Sequence, residues 1–250
     1  MKTKKIIFTV VIGGIIAVML FKMISNNKNG DFVYLTESFA DLKMIRYKVP
    51  GFEKLELHDK KLIYYLSQAS LSGRDIIFDQ NYRHNLRVRR TLEAIVNGYQ
   101  GDRETEDFQS FMEYTKRVWF SGGIHHHYSS AKLKPNFSSE YFIDELISKT
   151  ESSEEYAFPL FPGEDKRDLA KFIDNIIFNQ DIDGKRVNRD EGIDIILSSA
   201  NNYYAPEITQ EDVNLFYQKT DEERAPEYGL NSKLTKDENG NVYEQIYKVG

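Results

Sequence analysis

Three consecutive stretches in the first half of the chain place apolar residues at intervals of three and four and then stop at glycine. No other feature constrains the fold as much, because that period commits a segment to helix rather than strand. Over residues 57–73 the apolar positions are Leu62, Ile63, Leu66 and Ala69, closed by Gly73. Residues 81–99 and 105–120 repeat the pattern and are closed by Gly98, Gly101 and the pair Gly122 and Gly123. Ser138 reads as a further N-cap, and Thr209 with Asp212 as a capping box opening a helix that carries Val213, Phe216 and Tyr217. Strand signals flank these helices. Met44, Arg46 and Lys48 alternate with Ile45, Tyr47 and Val49 within an extended stretch, 31–50, and residues 230–236 and 241–249 form a hairpin pattern around Asn239-Gly240. Residues 151–163, with Pro159 and Pro162, read as a loop. The expected fold class is α+β, mostly helical with a few strands.

Composition narrows the chemistry. With 250 residues, 40% of them hydrophobic, and 16 Phe and 16 Tyr, the chain is long and apolar enough to bury a core. It contains no cysteine, which removes disulfides, a thiol nucleophile and a thiolate zinc site. The formal charge is −6, and residues 1–24 hold four lysines and no acid, so the remainder carries 29 basic against 39 acidic residues. That balance argues against a nucleic-acid partner, which requires a cationic face.

Residues 6–21 are uncharged, preceded by Lys2, Lys4 and Lys5 and followed by Lys22. A helix over residues 6–24 with Lys22 snorkelling is about 28 Å long, near the thickness of the hydrocarbon core of a bilayer. The exit, Phe21-Lys22-Met23-Ile24-Ser25, lacks the small residues of a cleavage site, so an uncleaved transmembrane anchor is expected; cleavage would instead release a secreted protein. The leading lysines place the bulk of the chain outside the cytoplasm, in the periplasm or at the cell surface. Residues 1–30 are then anchor and tether, and residues 31–250 form the folded part.

Several local patterns suggest chemistry. His125, His126 and His127 are consecutive, a poor arrangement for one metal ion because successive side chains diverge. They are expected to line a polar surface beside Tyr128. Residues 179–190 imitate a calcium loop, with Asn179, Asp181, Asp183 and Gly184 in place, but Arg186 and Asp190 occupy the positions of an apolar residue and a bidentate Glu. An Asp-Gly turn explains the same residues. Arg83, Arg87 and Arg90 fall on one face if residues 82–90 are helical, and pairing with nearby carboxylates is the expected use. No phosphate-binding loop, dinucleotide fingerprint or Gly-x-Ser-x-Gly elbow occurs.

The passages FADLKMIRYKVPGFEKL, KKLIYYLSQASLSGRDIIFDQNYRHNLRVRRTLE, KRVWFSGGIHHHYSSAKLKPNFS, SSANNYYAPEITQEDV and YGLNSKL resemble the N-terminal part of bacterial-type dipeptidyl peptidase III enzymes, the M49 metallopeptidases. The resemblance runs from about residue 32 to residue 250. It implies the non-zinc side of a two-lobed fold, with the strands forming part of a small β-barrel lobe. It further implies a chain truncated before the family's zinc motif, His-Glu-x-x-Gly-His, which this sequence lacks. Zinc belongs to the complete family enzyme, and no cofactor is expected on this chain. Family members release dipeptides from the amino end of short peptides; this portion alone is expected to be inactive, with short peptides and a separate zinc-lobe chain as partners. Tyr128, with His127 and His126, is implied to face the bound peptide. The alternative is a non-catalytic, membrane-anchored peptide-binding module.

Overall fold

A computed structural model describes residues 32–223 and 231–249. The segment 6–24 lies outside these residues, and among the described residues no helix is long and apolar enough to cross a membrane. The chain divides into two compact units, residues 1–60 and 61–250.

In the first unit, β1 (Leu35–Phe39) and β2 (Leu42–Ile45) form an antiparallel hairpin, with Phe39 opposite Leu42 and Leu35 opposite Ile45. The turn is made by Ala40, which adopts a left-handed conformation with φ 48°. Beyond Ile45 one further bond, from the Arg46 amide to the Tyr34 carbonyl at 2.9 Å, ends the pairing, short of the alternation that extends to Val49. A short 3-10 turn, Phe52–Lys54, precedes the first helix.

Helix α1 (Leu57–Ser72) ends at Gly73 as its period requires, yet it buries none of its residues: Leu62 and Leu66 are 58% and 60% exposed. The helices that build the core follow in the second unit. The helix expected over residues 81–99 is α3 (Asn85–Gly98), starting four residues late, and it is preceded by α2 (Arg74–Asn81), which the sequence reading does not include; the two are separated at Tyr82, which is extended. The break is held by side chains. Tyr82 is fully buried, while Asn85 donates from Nδ2 to the Phe78 carbonyl at 3.0 Å and accepts the Ile124 amide at 3.1 Å.

Helix α4 (Glu106–Ser121) starts at Thr105, whose Oγ1 accepts the Phe108 amide at 3.2 Å, and stops at Gly122, left-handed at φ 66°. Its inward face is Phe108, Phe111, Thr115 and Val118, spaced three and four residues apart. Ser138 caps a π-helical turn, Tyr141–Ile147, by accepting the Tyr141 amide at 3.0 Å. Helix α5 (Lys166–Phe178), not anticipated above, opens with a reciprocal Asp165–Asp168 capping box and buries Leu169, Ala170, Ile173, Ile176 and Ile177. These elements share one core, in which Phe111, Phe142, Leu92, Ile95 and Ile173 are fully enclosed.

A smaller core joins α6 (Gln210–Glu223) to the hairpin of β3 (Ser232–Lys236) and β4 (Val242–Ile246), around Ile208, Val213 and Leu234. The Thr209–Asp212 box is present, with both reciprocal backbone bonds at 2.9 and 3.1 Å. Lys236 also pairs with Asp212 at 2.8 Å, and it is the leading cause holding that carboxyl down at about 2.

The expectation of a partial β-barrel is overturned. The strands make two separate two-stranded sheets, and no barrel closes among the described residues. Each hairpin is closed by its own tight turn, at Ala40 and at 237–241, and the other edge of β3 bonds residues 203–205 through a single bridge rather than a further strand.

The burial contrast between α4 and α1 predicts opposite sensitivities. Phe111→Ala should lower the unfolding free energy by about 3–5 kcal/mol through transfer and cavity terms. Leu66→Ala should change it by less than about 0.5 kcal/mol. Urea unfolding of the full chain carrying each substitution measures both.

Candidate functional site

The histidine segment is built on a backbone corner. Gly123, at φ 146°, brings the chain so close to Asn85 that an added Cβ would lie 2.0 Å from Asn85 Nδ2. From there the chain turns back on itself: the Leu133 amide donates to Ile124 at 2.8 Å, the His126 amide to Ala131 at 2.8 Å, and the Ser130 amide to His126 at 3.0 Å. Tyr128 stands at the tip of this turn.

Beneath the turn lies a second loop, 179–184, the calcium-loop imitation. Its carbonyls face an ammonium of the protein itself. Lys132 Nζ donates to the carbonyls of Ile176 at 3.0 Å, of Asn179 at 2.8 Å, and of Ile182. Lys132 is buried, and burial lowers its pKa. A charge taken out of water is tolerated only where hydrogen bonds replace hydration, and three carbonyls do so here. The expected Asp-Gly turn is thus an ammonium cage.

Asp183 anchors the same knot from the other side, in a left-handed conformation at φ 47°. Its carboxylate accepts the Tyr82 hydroxyl at 2.7 Å, and its carbonyl lies 2.7 Å from His125 Nε2. Since a carbonyl only accepts, His125 carries its proton on Nε2. Burial, at 2% exposure, drops the His125 pKa to about 4.

The three histidines therefore differ in role. His125 is structural. His126 Nδ1 accepts the amides of Tyr128 and Ser129 at 3.2 and 3.1 Å, so it shapes the turn. His127 stacks on His126 with ring centres 4.5 Å apart, and Tyr128 lies 4.4 Å from His127. His125 Nε2 and His126 Nδ1 thus have backbone partners, and no cluster of three metal-ligating side chains occurs among the described residues.

Tyr128 is 86% exposed and lines a cavity of about 410 Å³ with Ser129, Lys185, Arg186 and Arg189. Arg186 is fixed by donating to the His127 carbonyl at 3.1 Å and to Asn81 at 3.3 Å, and Lys185 pairs with Asp190 at 2.6 Å. The result is an exposed aromatic and imidazole strip on a braced turn, beside a basic rim. Sequence reasoning singled out Tyr128, His127 and His126 but not Lys185, Arg186 or Arg189, which join them through the pairing of residues 130–132 with 184–186 and the Arg186 bond to the His127 carbonyl.

The carboxylate pairing expected for the arginines of residues 82–90 is present for Arg87 and Arg90, while Arg83 lies outside the helix that carries them. Arg87 pairs with Glu164 and lies between the rings of Phe161 and Phe172, 4.2 and 4.4 Å away, while Arg90 reaches Asp75 at 3.6 Å. Arg83 is set apart from both by the helix break. Comparison with known proteins finds no matching protein family and no curated protein with significant similarity.

Two predictions follow from the knot under the turn. Lys132→Met should cost about 2–4 kcal/mol in urea unfolding, because it strands buried carbonyls. An unfolded histidine titrates near 6.5, whereas His125 in the fold titrates near 4, so between these values only the unfolded chain takes up the proton. Stability should therefore fall as pH drops from 6.5 to 4, by roughly 2–3 kcal/mol from this residue. His125→Gln, which keeps a donor to the Asp183 carbonyl, should remove that share of the slope in pH-resolved denaturation.

Proposed function

We infer that the chain presents a binding surface for short peptides, equivalent to the substrate-side, non-zinc part of an M49-type dipeptidyl peptidase. The observation that carries this reading is the exposed Tyr128 ring on a turn braced from beneath by Lys132, His125 and Asp183. An aromatic ring that rests on His127 and is otherwise exposed offers stacking area at little conformational cost, and the neighbouring Arg186 and Arg189 supply charge for peptide carbonyls or carboxylates. His126 and His127 extend the same strip. The long blocks of sequence similarity quoted above support the family reading.

In this reading the chain binds and orients peptide and supplies no hydrolytic group of its own. The sequence contains no His-Glu-x-x-Gly-His, and zinc chemistry would come from residues beyond those of this chain. The membrane-directed sequence of residues 1–24 would hold the surface outside the cytoplasm.

Fluorescence polarisation of a C-terminally labelled tetrapeptide with the full chain tests the assignment. Saturable binding is expected, weakened about 5- to 30-fold by Tyr128→Ala, an effect of about 1–2 kcal/mol. The thermal midpoint should stay unchanged because the ring packs on so little. Absence of saturable binding, or equal binding by the variant, would sink the proposal.

A further inference from the structure

Three cations, Arg83, Lys233 and Lys248, line a cavity of about 690 Å³ away from the Tyr128 turn. Four separate pieces of chain meet there: Asp79 of α2, Arg83 of the α2–α3 corner, Asn202 of the loop before α6, and Lys233 and Lys248 from β3 and the residues after β4. In a chain whose formal charge is −6, three cations facing one hollow need an explanation.

The single carboxylate in the lining is already engaged. Asp79 Oδ2 accepts the Tyr247 hydroxyl at 2.6 Å and lies 3.3 Å from Asn202 Nδ2. Asn202 Oδ1 in turn accepts from Lys233 Nζ at 2.7 Å. This chain of bonds fixes the Lys233 ammonium with one donor used, leaving two for a ligand. Arg83 and Lys248 make no ion pair among the described residues. Burial is the leading cause lowering the Lys233 pKa; the Asp79 carboxylate opposes it and Arg83 adds to it. Glu207 acts on Lys233 through space but does not line the cavity. The lining thus carries a surplus of two positive charges whose mutual repulsion a bound anion would relieve.

The geometry points to an oxyanion site in this cavity, between Arg83, Lys233 and Lys248, that takes a small ligand with two negative charges. Its chemistry suits a phosphate group or a short dicarboxylate: a guanidinium fork grips paired oxygens, and the ammonium groups neutralise the charge. The site shares no lining residue with the Tyr128 cavity and does not depend on peptide binding.

Isothermal titration of the full chain with inorganic phosphate, succinate and acetate at fixed ionic strength tests the site. Saturable binding of phosphate or succinate is expected, with acetate at least ~10-fold weaker. The tighter of the two dianions identifies the ligand as phosphate-bearing or dicarboxylic. Arg83→Gln should weaken that dianion at least ~10-fold, and because Arg83 is exposed and makes no ion pair among the described residues, its thermal midpoint should match the parent. No saturable dianion binding, equal affinity for acetate, or an undiminished affinity in the Arg83→Gln protein would each overturn the assignment.

Discussion

The arrangement around the candidate peptide surface depends on the buried ammonium of Lys132. Withdrawing such a charge from water costs several kcal/mol, and the carbonyls of Ile176, Asn179 and Ile182 offset that cost only in one geometry. The bond set therefore ties the end of α5 and the 179–184 loop to the strand-like residues 131–133. Asp183 is fixed as a consequence, and with it the Tyr82 hydroxyl and the His125 ring. Removing one interaction from this set would loosen the turn that carries Tyr128 as well as the corner between α2 and α3.

The same corner separates the arginines into two kinds. Arg87, Arg89 and Arg90 are neutralised by Glu164, Asp75 and Glu93, and Arg87 is also sandwiched between aromatic rings, so they serve the helix and its packing. Arg83, one turn earlier in sequence, is swung out of that set by the extended backbone at Tyr82 and faces a cavity with two lysines. A helix continuing through residues 82–84 would have aligned all of these side chains on its own surface. Charge that looked uniform along the sequence thus divides into structural and unpaired groups.

Much of the local structure was legible. The Thr209–Asp212 box, the Ser138 cap, the Asn239-Gly240 hairpin and the glycine stops of α1 and α4 depend on bonds within a few residues, which sequence spacing encodes directly. Helix α5 carries an equally local signal, Asp165 three residues before Asp168 with Leu169, Ile173, Ile176 and Ile177 beyond it. Less could be read wherever a side chain acts at a distance. Asn85 breaks a helix by bonding Phe78 and Ile124, the latter 39 residues away, and the period of apolar positions across 81–99 holds no trace of that bond. Likewise α1 has a helical period but buries none of its residues, because periodicity reports which residues share a face and not what covers it.

The sequence by itself determined the Ser138 and Thr209 caps, the turn at Asn239-Gly240, the helix stops at Gly73 and Gly122 and the absence of thiol chemistry, since each follows from residue identity and short-range geometry. Only the tertiary structure decided that the strands form two separate sheets, that an imitation calcium loop encloses a lysine, that Tyr128 stands exposed beside Arg186, and that Arg83 meets Lys233 and Lys248. Those outcomes join residues tens to more than a hundred positions apart, and they are set by which buried polar groups find partners when the core closes, a condition no local pattern specifies.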